Sequence, residues 1–426
     1  MQTEKHFKHI YWLALLVFLM GIGMVALQSS AVTAEINAPE ALWGDEKHIS
    51  TNSPTGAFVP VIDRAPDGTL MVVYRHRTAG GFNIPYYTQS TNEGGTWSTP
   101  AAVRLSSSEI PQVSFAFDNN SVAHAVWRTG SDIIHSVKGQ WPAPGTPIAD
   151  TVEMVLDPDI DVADNNRLHV VWAQGQDLQT LNIYHAYSNN GGASWTISPP
   201  LATNTNKSIA PAVSVDNLGN VHVTWEERTF NIDIGDFVTA IHYKKGTWSG
   251  NTLTFAATPT TVSDPDINSN RPDIVATDNG RVHISYMELA SDDEQYAMYV
   301  LYNGTTWLPP VDTTNNSQVG VNQSDPFFLI TSLAVCDNIA YLYYHGALSP
   351  TANEQILGSN SGDNWVYREQ VTDTTTRSIN PSLVCDGSRL FLAFVRIEET
   401  GPNADTNQVY FVTTGGGSFL PAIFRK

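Results

Sequence analysis

One turn is spelled three times in this chain. S-T-N-E-G-G-T-W runs from Ser90 to Trp97, Y-S-N-N-G-G-A-S-W-T from Tyr187 to Thr196, and S-N-S-G-D-N-W from Ser359 to Trp365. Ser and Asn side chains in such a stretch fold back onto the turn's own backbone. The glycines supply left-handed conformations. The tryptophan is expected to close the turn and pack between neighbouring units. Shorter copies occur at Lys138–Trp141, Lys244–Trp248 and Asn303–Trp307. Self-similarity of this kind marks an array of supersecondary units rather than a single irregular core.

The rest of the unit repeats as well. D-P-D-I-D-V-A-D-N-N-R-L-H-V-V-W covers Asp157–Trp172, A-P-A-V-S-V-D-N-L-G-N-V-H-V-T-W covers Ala210–Trp225, and R-P-D-I-V-A-T-D-N-G-R-V-H-I-S-Y covers Arg271–Tyr286. Weaker copies begin at Val59, Ile110, Asp325 and Asn380. The prolines Pro60, Pro111, Pro158, Pro211, Pro272, Pro326 and Pro381 recur every 47 to 61 residues. Proline is read as opening a first strand, where its missing N–H is tolerated. An Asn/Asp/Gly hairpin turn follows, then an alternating second strand ending in an aromatic residue. A third strand, the Gly-rich turn and a fourth strand complete about fifty residues. Four antiparallel strands in a unit of that size make a propeller blade. The fold class is therefore all-β, a seven-bladed β-propeller, with six blades as the alternative because the sixth unit is weak. Ala41–Ser53 reads as a fourth strand with no blade before it. It is expected to complete the last blade and close the ring, giving one domain over residues 41–426.

Composition narrows the function classes. Trp 11, Tyr 16 and Phe 16 fit many short strands. The net charge of −20 repels phosphate backbones, so nucleic acid is not an expected partner. Lys5 and Lys8 precede the uncharged apolar run Ile10–Leu27, and small residues Val32 and Ala34 follow. This reads as a signal peptide over residues 1–34 cleaved after Ala34, with an uncleaved N-terminal anchor as the alternative. Either way the body is secreted or held at the cell surface, and it is expected to be monomeric. Cys336 and Cys385 stand in the same local word, A-V-C-D and L-V-C-D. A disulfide is open to an exported protein, but two buried free thiols are the favoured reading.

The Gly-rich turns resemble the Asp-box, or BNR, repeats of the sialidase-like superfamily, with Asn92 and Asn190 where Asp usually stands. The resemblance covers the exported chain and implies the propeller fold. It implies activity less directly, because Asp boxes also occur in non-catalytic propellers. A sialidase is expected to carry an Arg in the first strand, a second Arg after the second strand and a catalytic Asp in the loop that follows. Phe58 stands at the first Arg, Arg77 matches the second, and T-A-G-G-F-N-I-P-Y-Y holds no carboxylate. The resemblance therefore implies a sialidase-like fold without sialidase activity, since carboxylate binding wants an Arg fork and glycoside cleavage wants a placed acid.

In a propeller the loops after second strands and before first strands open on one face, around the channel mouth. Arg75, Arg77, Arg128, Arg228, Arg271 and Arg396 fall there and are the candidate ligand-binding residues. Glu226, Glu227 and Glu288 fall there too and are the candidate catalytic acids; ion pairing with Arg228 or Arg271 is the competing role. A glycan or another extracellular ligand is the expected partner, a glycoside hydrolase or polysaccharide lyase is the first alternative, and a cell-surface protein-interaction scaffold is the second. Histidines recur once per blade, at His124, His169, His222 and His283, which points to packing rather than a metal site. No cofactor is expected.

Overall fold

The structure is a computed structural model and describes residues 43–202, 207–231, 235–289, 295–314, 330–346, 355–363, 365, 369–372, 376–387, 389–398 and 406–415. The proposed signal peptide lies outside the described residues. So does Pro326, the start of the sixth unit. Seven antiparallel sheets form the seven blades. From the axis outward, blade 1 is Ala57–Arg64, Leu70–Arg77, Asn83–Ser90 and Ala101–Ala102. Blade 2 is Val113–Phe117, Ala123–Thr129, Asp132–Val137 and Thr146–Asp150; blade 3 is Met154–Val162, Leu168–Gly175, Asn182–Ser188 and Thr196–Ile197. Blade 4 is Lys207–Val215, Val221–Asn231, Asp236–Ser249 and Thr252–Phe255, with Thr260–Thr261 also paired to its third strand. Blade 5 is Asn268–Ala276, Val282–Leu289, Gln295–Tyr302 and Val311–Asp312; blade 6 is Thr331–Cys336, Ile339–Gly346, Gln355–Asn360 and Glu369–Gln370.

Blade 7 takes three strands, Ser378–Asp386, Arg389–Glu398 and Thr406–Thr413, from the end of the chain. Its fourth comes from the beginning: Lys47–His48 pairs with Phe411 and Tyr410, and Trp43 bridges to Thr414. The ring is thus closed by the segment that the sequence left without a blade.

Each second strand carries a fully buried aromatic, Tyr74, Trp127, Trp172, Trp225, Tyr286, Tyr344 or Phe394, but does not end there as the sequence suggested: it runs on for two to six more residues. These fill the gaps between blades, so Tyr286 and Tyr344 belong to the core. The turn tryptophans form a second layer. Trp97 packs on Phe411, Trp141 on Tyr87, Trp195 on His135, Trp248 on Tyr187, Trp307 on Tyr243, Trp365 on Tyr299 and Trp43 on Tyr343. Each blade thereby presses one indole edge-on or tilted against the blade before it, geometries aromatic pairs favour. Within the turns, Gly94 N–H donates to Ser90 Oγ at 2.9 Å and Thr96 N–H to Asn92 Oδ1 at 2.8 Å. Ser188 and Asn190 repeat the pattern with Gly192 and Ser194. Blade 4 departs from it: the third strand runs through Lys244–Trp248 into a hairpin with Thr252–Phe255, so no Gly-rich turn forms there.

Two further expectations are corrected. The recurrent prolines do not open the first strands in blades 1, 3, 4, 5 and 7 but sit at a bulge inside them. The residue before each has positive φ: Val59 45°, Asp157 51°, Ala210 48°, Arg271 54° and Asn380 52°. Cys336 and Cys385 are not free thiols. They form a disulfide between the inner strands of blades 6 and 7, with Cα atoms 6.2 Å apart. Equivalent positions can bond here because inner strands converge on the axis.

Candidate functional site

The inner strands would expose a ring of backbone N–H groups to the channel, and the sequence answers this with short polar side chains. Ile62 N–H donates to Ser382 Oγ, Phe117 N–H to Asp63, Val213 N–H to Asp159, Val215 N–H to Asp161, Ala276 N–H to Ser214, Leu333 N–H to Asp273 and Leu383 N–H to Ser332. Ser114 Oγ donates to Asp159 at 2.7 Å. Every seam between neighbouring blades is bridged in this way. The channel has a volume of about 440 Å³. Burial pushes the carboxyls facing it up, Asp63 to about 6, Asp161 and Asp273 to about 7, and Asp159 in the same direction. This acid ring was not among the sequence candidates. Its signal was the D-P-D-I-D spacing, where alternate residues of a strand face one side.

In blades 1, 3, 4, 5 and 7 the bulge takes the residue before the proline out of the ladder. A separate cleft of about 370 Å³ opens between blades 4 and 5, lined by Lys207, Ile209, Glu226, Arg228, Phe237 and Asn270, with Thr239 and Asn268 beside them. Lys207 pairs across the ladder with Arg228, and Ile209 with Glu226, so all four side chains leave one face of the blade. Glu226 is buried and accepts the Arg271 N–H at 2.6 Å. Burial pushes its carboxyl up to about 7; the Arg271 backbone bond and the Arg271 and Lys207 charges oppose this, and Asp157 adds to it. Arg228 stacks over Phe237, 4.6 Å from the ring centroid.

Of the sequence candidates, Glu226 and Arg228 line this cleft, and Arg271 reaches it through its backbone N–H, which Glu226 accepts. Glu227 does not. It points to the opposite face, buried, where Trp225 Nε1 donates to it at 3.1 Å and His242 lies 4.0 Å away. Glu288 is half-buried in blade 5, and burial with the nearby Asp264 and Asp312 charges pushes its carboxyl up to about 7. Arg75 donates to the Pro111 carbonyl at 2.8 Å, and Arg396 pairs with Glu46 while stacking over Tyr410. Arg77 is exposed and Arg128 half-buried, each on its own blade. The six arginines therefore do not converge. The histidines lie inside blades: His124 bonds His135 and His169 bonds His185, both at 3.0 Å.

The apolar surface is also uneven. Among the described residues, seven of the eleven exposed large apolar side chains lie in mouth-face segments: Phe82, Leu105, Val152, Met154, Leu178, Phe230 and Phe237. The two phenylalanines stand at the end of the long blade 4 hairpin, 55% and 48% exposed, edge to face at 5.3 Å. Sequence reasoning passed over Phe237, Asn268 and Asn270, which carry no repeat signal.

No protein-family model matches the chain, and no curated protein matches it. Solved structures do. An ulvan lyase, a polysaccharide lyase solved with a saccharide bound, is 10% identical over 86% of this chain and 95% of its own, with a TM-score of 0.53. A Dyadobacter fermentans protein of unknown function is 13% identical over 88% of this chain and 100% of its own, with a TM-score of 0.51. The Trypanosoma rangeli sialidase is 12% identical over 85% of this chain and 55% of its own, with a TM-score of 0.45. At these identities the likeness is one of fold, and that fold is the seven-bladed β-propeller.

Proposed function

We propose that the protein is an exported, sialidase-like propeller that binds a saccharide on its mouth face and does not hydrolyse sialosides. The observation that carries this reading is the cleft between blades 4 and 5, where amides, cations and a half-exposed aromatic ring line one concavity. Sugar rings present apolar faces and polar edges, and such a lining matches both. The disulfide supports export, because such bonds persist in oxidising compartments. Phe58 in place of an arginine, and a Thr78–Phe82 loop without a carboxylate, support the absence of sialidase chemistry. A glycan array probed with the full chain, beside a fluorogenic sialoside assay, tests it. Binding without turnover, weakened on the order of tenfold by Phe237→Ala, is expected. Sialoside turnover, or an array with no bound glycan, would overturn it.

One observation favours a second reading, a glycosidase or lyase. Glu226 has a carboxyl near 7 in a cleft, which suits a general acid or base. Turnover of any glycan that Glu226→Gln abolishes would establish it.

A further inference from the structure

The blade 4–5 cleft holds a charge arrangement that the fold does not need. Lys207 and Arg228 are direct cross-strand partners and both line the cleft. Like charges opposite one another on a sheet repel and destabilise it. The chain has 22 Lys+Arg against 42 Asp+Glu, so a cation pair at one cleft is not the by-product of a basic surface. Two residues along on the same face lies Glu226. The charged groups around it are Lys207 and Arg228 from its own blade, Arg271 from blade 5 and Asp157 from blade 3. Asn268, Asn270 and Thr239 add neutral polar groups to the lining.

We infer that this cleft is a proton-linked oxyanion site: Lys207 and Arg228 take a carboxylate or sulfate group of the saccharide while Glu226 is protonated, and ionisation of Glu226 ejects it. The inference rests on the saccharide reading above and adds the ligand's charge and its regulation. An ionised Glu226 supplies the cation pair with an internal counter-charge and repels a second anion. A protonated Glu226 leaves both cations to the ligand and can donate its own O–H to the oxyanion, a charge-assisted bond. The ligand's negative charge in turn relieves the Lys207–Arg228 repulsion. Above the pH at which Glu226 titrates, each ligand bound therefore carries about one proton into the cleft. The carboxyl, pushed up to about 7 chiefly by burial, sets that pH near neutrality.

The test is calorimetric titration of the full chain with sodium sulfate and with a chondroitin sulfate hexasaccharide, at pH 5.5 and pH 8.5. Neither probe changes charge over that interval, so any pH dependence belongs to the protein. Affinity for both is expected to fall on the order of tenfold between the two pH values, with proton uptake visible as a buffer-dependent enthalpy. Glu226→Gln keeps a neutral side chain that can still accept the Arg271 N–H, so it is expected to bind equally at both pH values. Lys207→Ala and Arg228→Ala are each expected to weaken binding about tenfold at pH 5.5. A pH-independent affinity in the unaltered protein, or a pH dependence that survives in Glu226→Gln, overturns the inference. Hexasaccharide binding indifferent to Lys207→Ala and Arg228→Ala overturns it and leaves the saccharide reading standing. Proton-linked sulfate binding without hexasaccharide binding upholds the oxyanion site, and the saccharide reading then stands or falls on the glycan array. Binding of neither probe overturns the inference.

Discussion

Gly191 and Gly192 are neighbours in one turn, both with positive φ, yet they answer to different constraints. A Cβ on Gly191 would meet nothing within 4 Å, whereas one on Gly192 would lie 2.1 Å from the His135 ring of the preceding blade. The first glycine is needed only for its backbone, the second also for the approach of two blades. Gly191→Ala is expected to cost about 1 kcal/mol, the usual charge for a left-handed alanine. Gly192→Ala is expected to cost about 2–4 kcal/mol, because the ring or the turn must move. Urea unfolding of the two variants measures the difference, and equal costs would mean that the turn does not touch its neighbour. Gly94 repeats the arrangement against Phe411, across the seam where the ring closes. The doublet was legible as a turn; its neighbour was not, because His135 lies more than fifty residues away in the chain.

The inner strand is the element that organises the molecule. In five blades a bulge takes the residue before proline out of the ladder, and the strand's alternate side chains bridge to the next blade. Where the bridging group is a carboxyl, the water it loses on folding makes the folded state hold the proton more tightly than the unfolded chain does. Asp161 is raised from 3.8 to about 7. Its contribution to stability is full below pH 3.8 and is lost as pH rises to about 7. Buried histidines act in the opposite sense. His185, lowered from 6.5 to about 3, favours the folded state above pH 6.5 and withdraws that support as pH falls to about 3. The two families mask one another in the unaltered protein, so the comparison with a variant is what reads the carboxyl. Asp161→Asn keeps an acceptor for the Val215 N–H and removes the charge. Its stability relative to the unaltered protein is expected to improve by roughly 3 kcal/mol between pH 4 and pH 7. Chemical unfolding at several pH values checks this, and a constant difference would show that Asp161 titrates normally. The first strands themselves were legible. The bulge was not, since X-Pro ordinarily favours an extended X, and only the convergence of strands on the axis imposes the left-handed turn.

At the scale of the whole molecule, stability depends on keeping the ring shut. Lys47–His48 in blade 7 ties the start of the chain to its end, and the Cys336–Cys385 bond staples the adjoining pair of blades. The bond closes a loop with a sequence separation of 49 residues. In chain-entropy terms a loop of that length is worth about 4 kcal/mol. Replacing both cysteines by serine is expected to lower the urea midpoint, and reductant is expected to lower that of the unaltered chain but not of the variant. A midpoint indifferent to reductant would mean that the bond constrains little. The cleft between blades 4 and 5 also belongs to this scale. Glu226 and Arg228 were legible as charges following the aromatic Trp225, though they lie inside the second strand and not in the loop after it, whereas Asn268 and Asn270 come from the next blade and Phe237 from the far arm of a hairpin.

The periodic part was written in the chain: seven units, four strands in each, one aromatic in every second strand, and an orphan strand to close the circle. Periodicity survives in one dimension because every blade solves the same packing problem with the same residues. Features that occur once per molecule rather than once per blade came only from the folded chain. The disulfide and the failure of the six arginines to converge depend on side chains from separate blades, and the cation pair with its buried Glu226 depends on two paired strands of blade 4 and on blade 5 packed beside them. Their distances are set by how strands crowd towards a common axis, and no repeat in the chain encodes that.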